Sequence, residues 1–162
     1  MTLRTALVIA SLATAAEADH HSLQIDDCGE RAVANAHAAY LVEPWEKNTR
    51  YQPEHNLRFI VLGNGEGAPP AYYLMLLANP PASPSDPGPR TCRIVTIEGA
   101  TGFAEIEMAA ATFEDELRRG RVLTVFTVPV DITSASGSTR RQALSVRYLH
   151  ENGNTTASLD DL

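Results

Sequence analysis

The sequence predicts an α+β domain in which one N-terminal helix packs on an antiparallel meander sheet of about six or seven strands. Three stretches carry that reading. Cys28, Ala32, Ala36 and Tyr40 recur every four positions, as one face of a helix requires. Ala71 to Ala78 is a continuous apolar run of strand length. Val122, Thr124, Phe126, Val128, Val130 and Ile132 alternate with their neighbours, as a strand with one buried face requires.

Ahead of the helix, Met1 to Thr5 carries one positive side chain, Arg4, and leads into Ala6 to Ala13, an apolar run too short to span a bilayer. That is the form of a cleaved signal peptide. Small-residue cleavage patterns follow at Ala13-Thr14-Ala15 and Ala16-Glu17-Ala18, and the second places the mature start at Asp19. Residues 1–18 are thus expected to be removed and residues 19–162 to form a single domain, periplasmic or secreted. After a polar lead to Asp26, Asp27-Cys28-Gly29-Glu30 offers an N-cap acceptor with a glutamate three residues on. The helix expected from there ends before Pro44, with Val33 and Leu41 broadening its stripe and Cys28 facing inward in its first turn.

Glu43 to His55 has no sustained period and reads as a loop carrying Trp45 and Tyr51. Leu57 to Leu62 reads as a strand closed by a Gly63-Asn64-Gly65-Glu66-Gly67 turn, and the Ala71–Ala78 run as a central strand. Five prolines between Asn79 and Arg90 exclude a ladder and predict an exposed connector. Thr91–Glu98, Phe103–Ala109 and Val122–Ile132 read as antiparallel neighbours, with a turn at residues 99–102. Between the last two, Thr112 can cap a short helix through Leu117, or the strand runs on and turns at Arg118-Arg119-Gly120; the long hairpin is preferred. Arg140–Leu149 reads as a further strand, and Asn152-Gly153 signals a hairpin that brings Asn154–Leu159 back. This order of elements resembles cystatin-like folds, an analogy of architecture that carries no function.

The formal charge is −7, and loss of residues 1–18 leaves it unchanged because it removes one base, Arg4, and one acid, Glu17. Such a balance argues against nucleic acid, whose phosphates need a cationic face, and no polybasic stretch suggests anionic lipid. A soluble protein or small ligand is the expected partner. The two cysteines, Cys28 and Cys92, are expected to pair in an oxidising compartment, tying the early helix to a central strand.

Candidate chemistry is sparse. Asp19-His20-His21 at a free terminus places an amine, two amides and an imidazole in reach of one Cu(II) or Ni(II) ion. His55 and His150 fall in a loop and at a strand end, where an acid–base group can meet substrate, with Glu54 and Glu151 beside them in sequence. Adjacent residues of a strand point to opposite faces, however. His37 reads as a boundary residue of the helix. Glu105 and Glu107 share a strand face about 7 Å apart, the spacing of paired carboxylates, yet most simply mark its solvent side. The glycines at 63, 65 and 67 lack the Lys-Ser/Thr of a phosphate loop. Tyr40, Trp45 and Tyr51 form a candidate aromatic partner-binding patch. The reading is an exported binding, inhibitor or accessory module with no evident catalytic residues; its alternatives are a small enzyme using His55 or His150, and the N-terminal copper or nickel site.

Overall fold

The computed structural model describes residues 22–28, 41–64, 71–79, 91–98 and 102–162. They form two antiparallel sheets rather than one sheet under a helix. The first has five strands in the order β1-β5-β4-β3-β2, namely β1 (Leu23–Asp27), β5 (Thr91–Ile97), β4 (Tyr72–Ala78), β3 (Leu57–Gly63) and β2 (Thr49–Gln52). The second runs β10 (Asn154–Asp161), β9 (Thr139–Leu149), β8 (Arg121–Thr133) and β6 (Glu105–Ile106), with β7 (Thr112–Arg118) also pairing on β8.

The α+β expectation is therefore overturned, and with it the analogy to cystatin-like folds. No α-helix occurs among the described residues. Asp27, expected to cap a helix, is the last residue of β1, in register with Arg93 and ion-paired to it. The Cys28 N–H donates to the Cys92 carbonyl at 3.3 Å, so the cap pattern is a strand end. Leu23 and Ile25 do alternate inward, but two apolar positions in a polar lead are too short a period to read. Residues 29–40, with Ala32, Ala36, His37 and Tyr40, lie outside the described residues, as do residues 1–21 and 80–90.

Elsewhere the strands largely follow the pattern. Ala71–Ala78 yields the middle strand of its sheet, β4. Thr112 onward is a strand, and the preferred hairpin forms with Arg119 and Gly120 as its two turn residues. The expected loop before His55 contains the edge strand β2. The expected strand at Phe103–Ala109 shrinks to Glu105–Ile106 because a 3-10 turn at Met108–Ala110 buries Met108 and interrupts it. That interruption falls opposite Pro129, between β7, which pairs as far as Thr127, and β6, which resumes at Val130. Proline has no N–H that a neighbouring strand must accept, and the Glu107 N–H donates to the Pro129 carbonyl at 2.9 Å, so a break there leaves no donor unsatisfied.

The two sheets share one core, as sheet-on-sheet packing requires of an alternating pattern. Phe59, Leu74, Leu76 and Val95 of the first sheet meet Phe126, Val128, Leu144, Val146 and Tyr148 of the second. The Phe59 and Phe126 rings stack at 3.9 Å between centroids, with Phe113 tilted against both. On the other face of the first sheet Ile60, Leu62, Tyr73 and Ile94 form a smaller buried cluster against which Cys28 packs. The expected Cys28–Cys92 bond is present, but it joins neighbouring strands β1 and β5 instead of a helix and a strand.

Two outcomes test this packing. Phe59→Ala removes a ring that is 1% exposed and touches both sheets, so it should lower the unfolding free energy by about 3–5 kcal/mol in urea titrations. The Cys28→Ala/Cys92→Ala pair releases a closure of 64 positions and should cost about 2–4 kcal/mol by the same measurement, with the unfolding slope changed because the unfolded chain expands.

Candidate metal centre

The alternation that builds the core also delivers a polar cluster to one end of it. On β8 the inward row runs Phe126, then Thr124; on β7 it runs Phe113, then Asp115; and the ladder sets Phe113 opposite Phe126 and Asp115 opposite Thr124. Thr124 also faces Tyr148 of β9, and His150 stands two residues beyond Tyr148. From the opposite sheet, His55 lies two residues before Leu57 in the β2–β3 turn. Each polar residue thus sits one inward step past a buried or half-buried apolar one, and the four meet at one end of the sandwich.

The contacts are close. His55 Nε2 lies 2.8 Å from Asp115 Oδ2, and the Thr124 hydroxyl donates to Asp115 Oδ1 at 2.8 Å. Thr124 Oγ1 is also 2.9 Å from His150 Nε2. Since its one proton goes to the carboxylate, it accepts from the His150 N–H. The two imidazole rings lie 4.2 Å apart, and the Tyr148 ring meets His150 edge-on at 5.2 Å. One potential ligand atom from each of His55, Asp115 and His150 falls within 4.8 Å of the others.

The electrostatics favour a ligand set. Burial pushes the Asp115 carboxyl upward, but the hydrogen bonds from His55 and Thr124 and the nearby imidazoles outweigh it, so its pKa falls below the ordinary 3.8. Burial, and then the charge of His55, hold His150 below its ordinary 6.5 despite the opposing pull of Asp115. Near neutral pH the centre therefore presents an ionised carboxylate beside a neutral His150 imidazole, the forms that bind a cation. As a stabilising device the cluster is poor. His55 is 24% and Asp115 39% exposed, and ion pairs so open to solvent contribute about 0–1 kcal/mol. Thr124 is 1% exposed, so its hydroxyl orients Asp115 and is closed to a substrate as a nucleophile.

The sequence had singled out His55 and His150 separately, and the fold joins them. Their acidic sequence neighbours Glu54 and Glu151 are not in the converging group, and Glu151 pairs with Arg121 at 3.0 Å. Asp115 and Thr124 were missed. Their signal was a polar residue at an inward position of an apolar alternation, most visible at Thr124 between Val122 and Phe126. Glu107 pairs with Arg141. Trp45, in the turn before β2, and Tyr51, on β2, are 51% and 47% exposed, with Arg58 over the Tyr51 ring at 5.2 Å. Asp19, His20, His21 and Tyr40 lie outside the described residues.

The lowered pKa values set the sign of a pH effect on the ion-free protein. Below 6.5 the unfolded chain protonates His150 before the folded one does, and below 3.8 the same holds for Asp115. The unfolded state then binds more protons, so stability should fall as pH falls through both windows. His150→Gln should flatten the upper part of the slope, read from urea midpoints between pH 7 and 5, and leave the acid part in place. Compared with protein-family models, with curated proteins and with solved structures, the chain matches none of them.

Proposed function

We propose that the protein holds a divalent transition-metal ion at His55, Asp115 and His150, with a coordination position left open for an outside ligand. The observation that supports this reading is the convergence of three ligand atoms within 4.8 Å from three separate elements of two sheets. Two imidazoles and one carboxylate suit Zn(II), Co(II) and other first-row divalent ions. Three protein ligands leave at least one position for water or a substrate, the arrangement of a reactive centre and not of a closed structural one. Thr124 keeps Asp115 Oδ1 engaged, the role that groups behind a ligand play in fixing it, and the ion would take Oδ2 in place of its present contact with His55.

This reading replaces the N-terminal copper or nickel motif with a centre built by the fold, and it favours an enzyme or ligand sensor over a purely passive module. It also retains export: the signal-type first 18 residues and the Cys28–Cys92 bond both suit an oxidising compartment. Among the described residues no helix is long and apolar enough to cross a membrane. Without an ion the same residues form a His–Asp pair beside a neutral imidazole, which supports an acid–base reading of His55 and His150. The half-exposed Trp45 and Tyr51 favour a second, separate surface for a protein partner.

Titration of chelator-treated protein with Co(II) or Zn(II) should show one equivalent bound, with the Co(II) visible bands of a low-coordinate nitrogen–oxygen site. His55→Ala/His150→Ala should abolish binding, and Thr124→Val should weaken it by about 10–100-fold. Replacing His20 and His21 by alanine should leave it unchanged. Binding that survives the His55/His150 double variant, or is lost with His20 and His21, would sink the reading. Activity that persists in the ion-free protein would transfer it to the acid–base alternative.

A further inference from the structure

The β7–β8 hairpin runs past the metal centre, and its tip differs from the surface of an acidic protein. Three of the chain's thirteen basic residues, Arg118, Arg119 and Arg121, lie within four positions there. Arg118 is paired with Glu116 and Arg121 with Glu151, which leaves Arg119 as the arginine of the tip with no ion pair. Arg119 occupies the first position of a two-residue turn at φ 52°, followed by Gly120 at φ 77°. Asn or Gly is the usual residue at that first position, because glycine has no Cβ to clash and the short asparagine side chain can hydrogen-bond its own backbone there. A free arginine kept where asparagine would serve the turn better points to a use for its charge.

Arg119 also borders the proposed centre. Arg119, Gly120, Arg121, Val122, His150 and Glu151 together line a shallow depression of about 450 Å³, so one of the proposed metal ligands forms part of its wall. The inward row of the hairpin also continues beyond the centre. After Phe113–Phe126 and Asp115–Thr124, the next pair on the same face is Leu117–Val122, and these are 73% and 43% exposed. An apolar cross-strand pair is left in water at the rim, adjoining the free arginine. With an ion in place its two charges exceed the single negative charge of Asp115, Arg121 and Glu151 offset each other, and Arg119 adds one more positive charge. With the ion bound, the mouth would be cationic in a chain of formal charge −7.

We propose that this depression is the ligand subsite of the ion, and that it takes an organic carboxylate bearing an apolar chain. The carboxylate completes the open coordination position and meets the Arg119 guanidinium, a charge-assisted contact. The chain lies along Leu117 and Val122, which removes their exposed surface from water. The inference rests on the metal-centre reading and adds to it the class of ligand. A bare inorganic anion would leave the apolar rim unused, and a neutral apolar molecule would leave Arg119 and the ion unused.

The experiment is a titration of Co(II)-loaded protein with acetate, butyrate, hexanoate and octanoate, followed by the visible Co(II) spectrum. A saturable change is expected, with affinity rising about twofold per added methylene, half of the full burial effect because the rim is open on one side. Arg119→Asn should bind Co(II) as the parent does, melt no lower because asparagine suits the turn, and bind hexanoate on the order of tenfold more weakly. Leu117→Ser/Val122→Thr should keep acetate binding and lose the dependence on chain length. A Co(II) spectrum indifferent to every carboxylate overturns the inference while leaving the metal centre standing. Equal hexanoate affinity in Arg119→Asn, or equal affinity for acetate and octanoate in the parent, overturns it as well. A protein that takes up no Co(II) fails at the earlier step, and the metal-centre reading falls with the inference.

Discussion

The centre depends on one contact, the stacking of Phe59 on Phe126 across the sandwich. These rings fix how the first sheet sits over the second, and the polar residues beyond them inherit their positions from that match. In a strand the side-chain period is two, so a one-residue slip of β8 against β7 would turn Thr124 and Phe126 to the outer face and part them from Asp115 and Phe113. Rings burying this much surface make such a slip costly. The register that fills the core thus also aims the ligands, and the aromatic layer beneath forms a rigid floor for a set that is itself open to water.

The position of the cluster at the mouth, one step outside the core, explains its electrostatic state. Deeper burial would drive Asp115 toward its neutral form, since a carboxylate shut in an apolar interior is held ionised only by full compensation. Full exposure would return His150 to its ordinary titration range and leave a proton on the imidazole in mild acid. At the edge, burial is enough to keep His150 neutral, while two hydrogen bonds are enough to keep Asp115 charged. A cation site needs both states at once, and the rim of a sandwich is where one fold can supply them.

How much of this was legible in the sequence varies with the distance over which the signal acts. Strands β3, β4, β5, β8 and β9 could be read because each carries five or more residues of apolar run or alternation. The hairpin at Arg118–Gly120 could be read because a turn is local chemistry. The layer architecture could not: an inward alternation looks the same whether a helix or a second sheet covers it, and the helical spacing at residues 28–40 tipped the choice to a helix. The strand β1 was hidden because Asp26 and Asp27 made its end look like a cap, when Asp27 is held by Arg93, 66 positions away. His55 and His150 were marked by type alone. Nothing local tells that residues so far apart meet, and Asp115 was passed over because one acid among Glu114, Asp115 and Glu116 has no distinction until the face it occupies is known.

The division of ligands between the sheets has a consequence for stability. Asp115 and His150 belong to one sheet and His55 to the other, so an ion bound by all three would join the layers at the mouth, just beyond the aromatic layer. Its binding free energy then adds to folding in proportion to the logarithm of ion concentration over dissociation constant, since the unfolded chain holds no preformed site. The opposite edge of the first sheet is tied covalently by Cys28–Cys92, within a single layer, and that bond does nothing to hold one sheet on the other. Sheet-to-sheet cohesion in the ion-free protein rests on the shared apolar core, with the aromatic stack at its end nearest the cluster, and a bound ion would add to it at the mouth. Loss of the ion should therefore loosen the mouth first, and with it the His55 turn, while the ladders within each sheet remain paired.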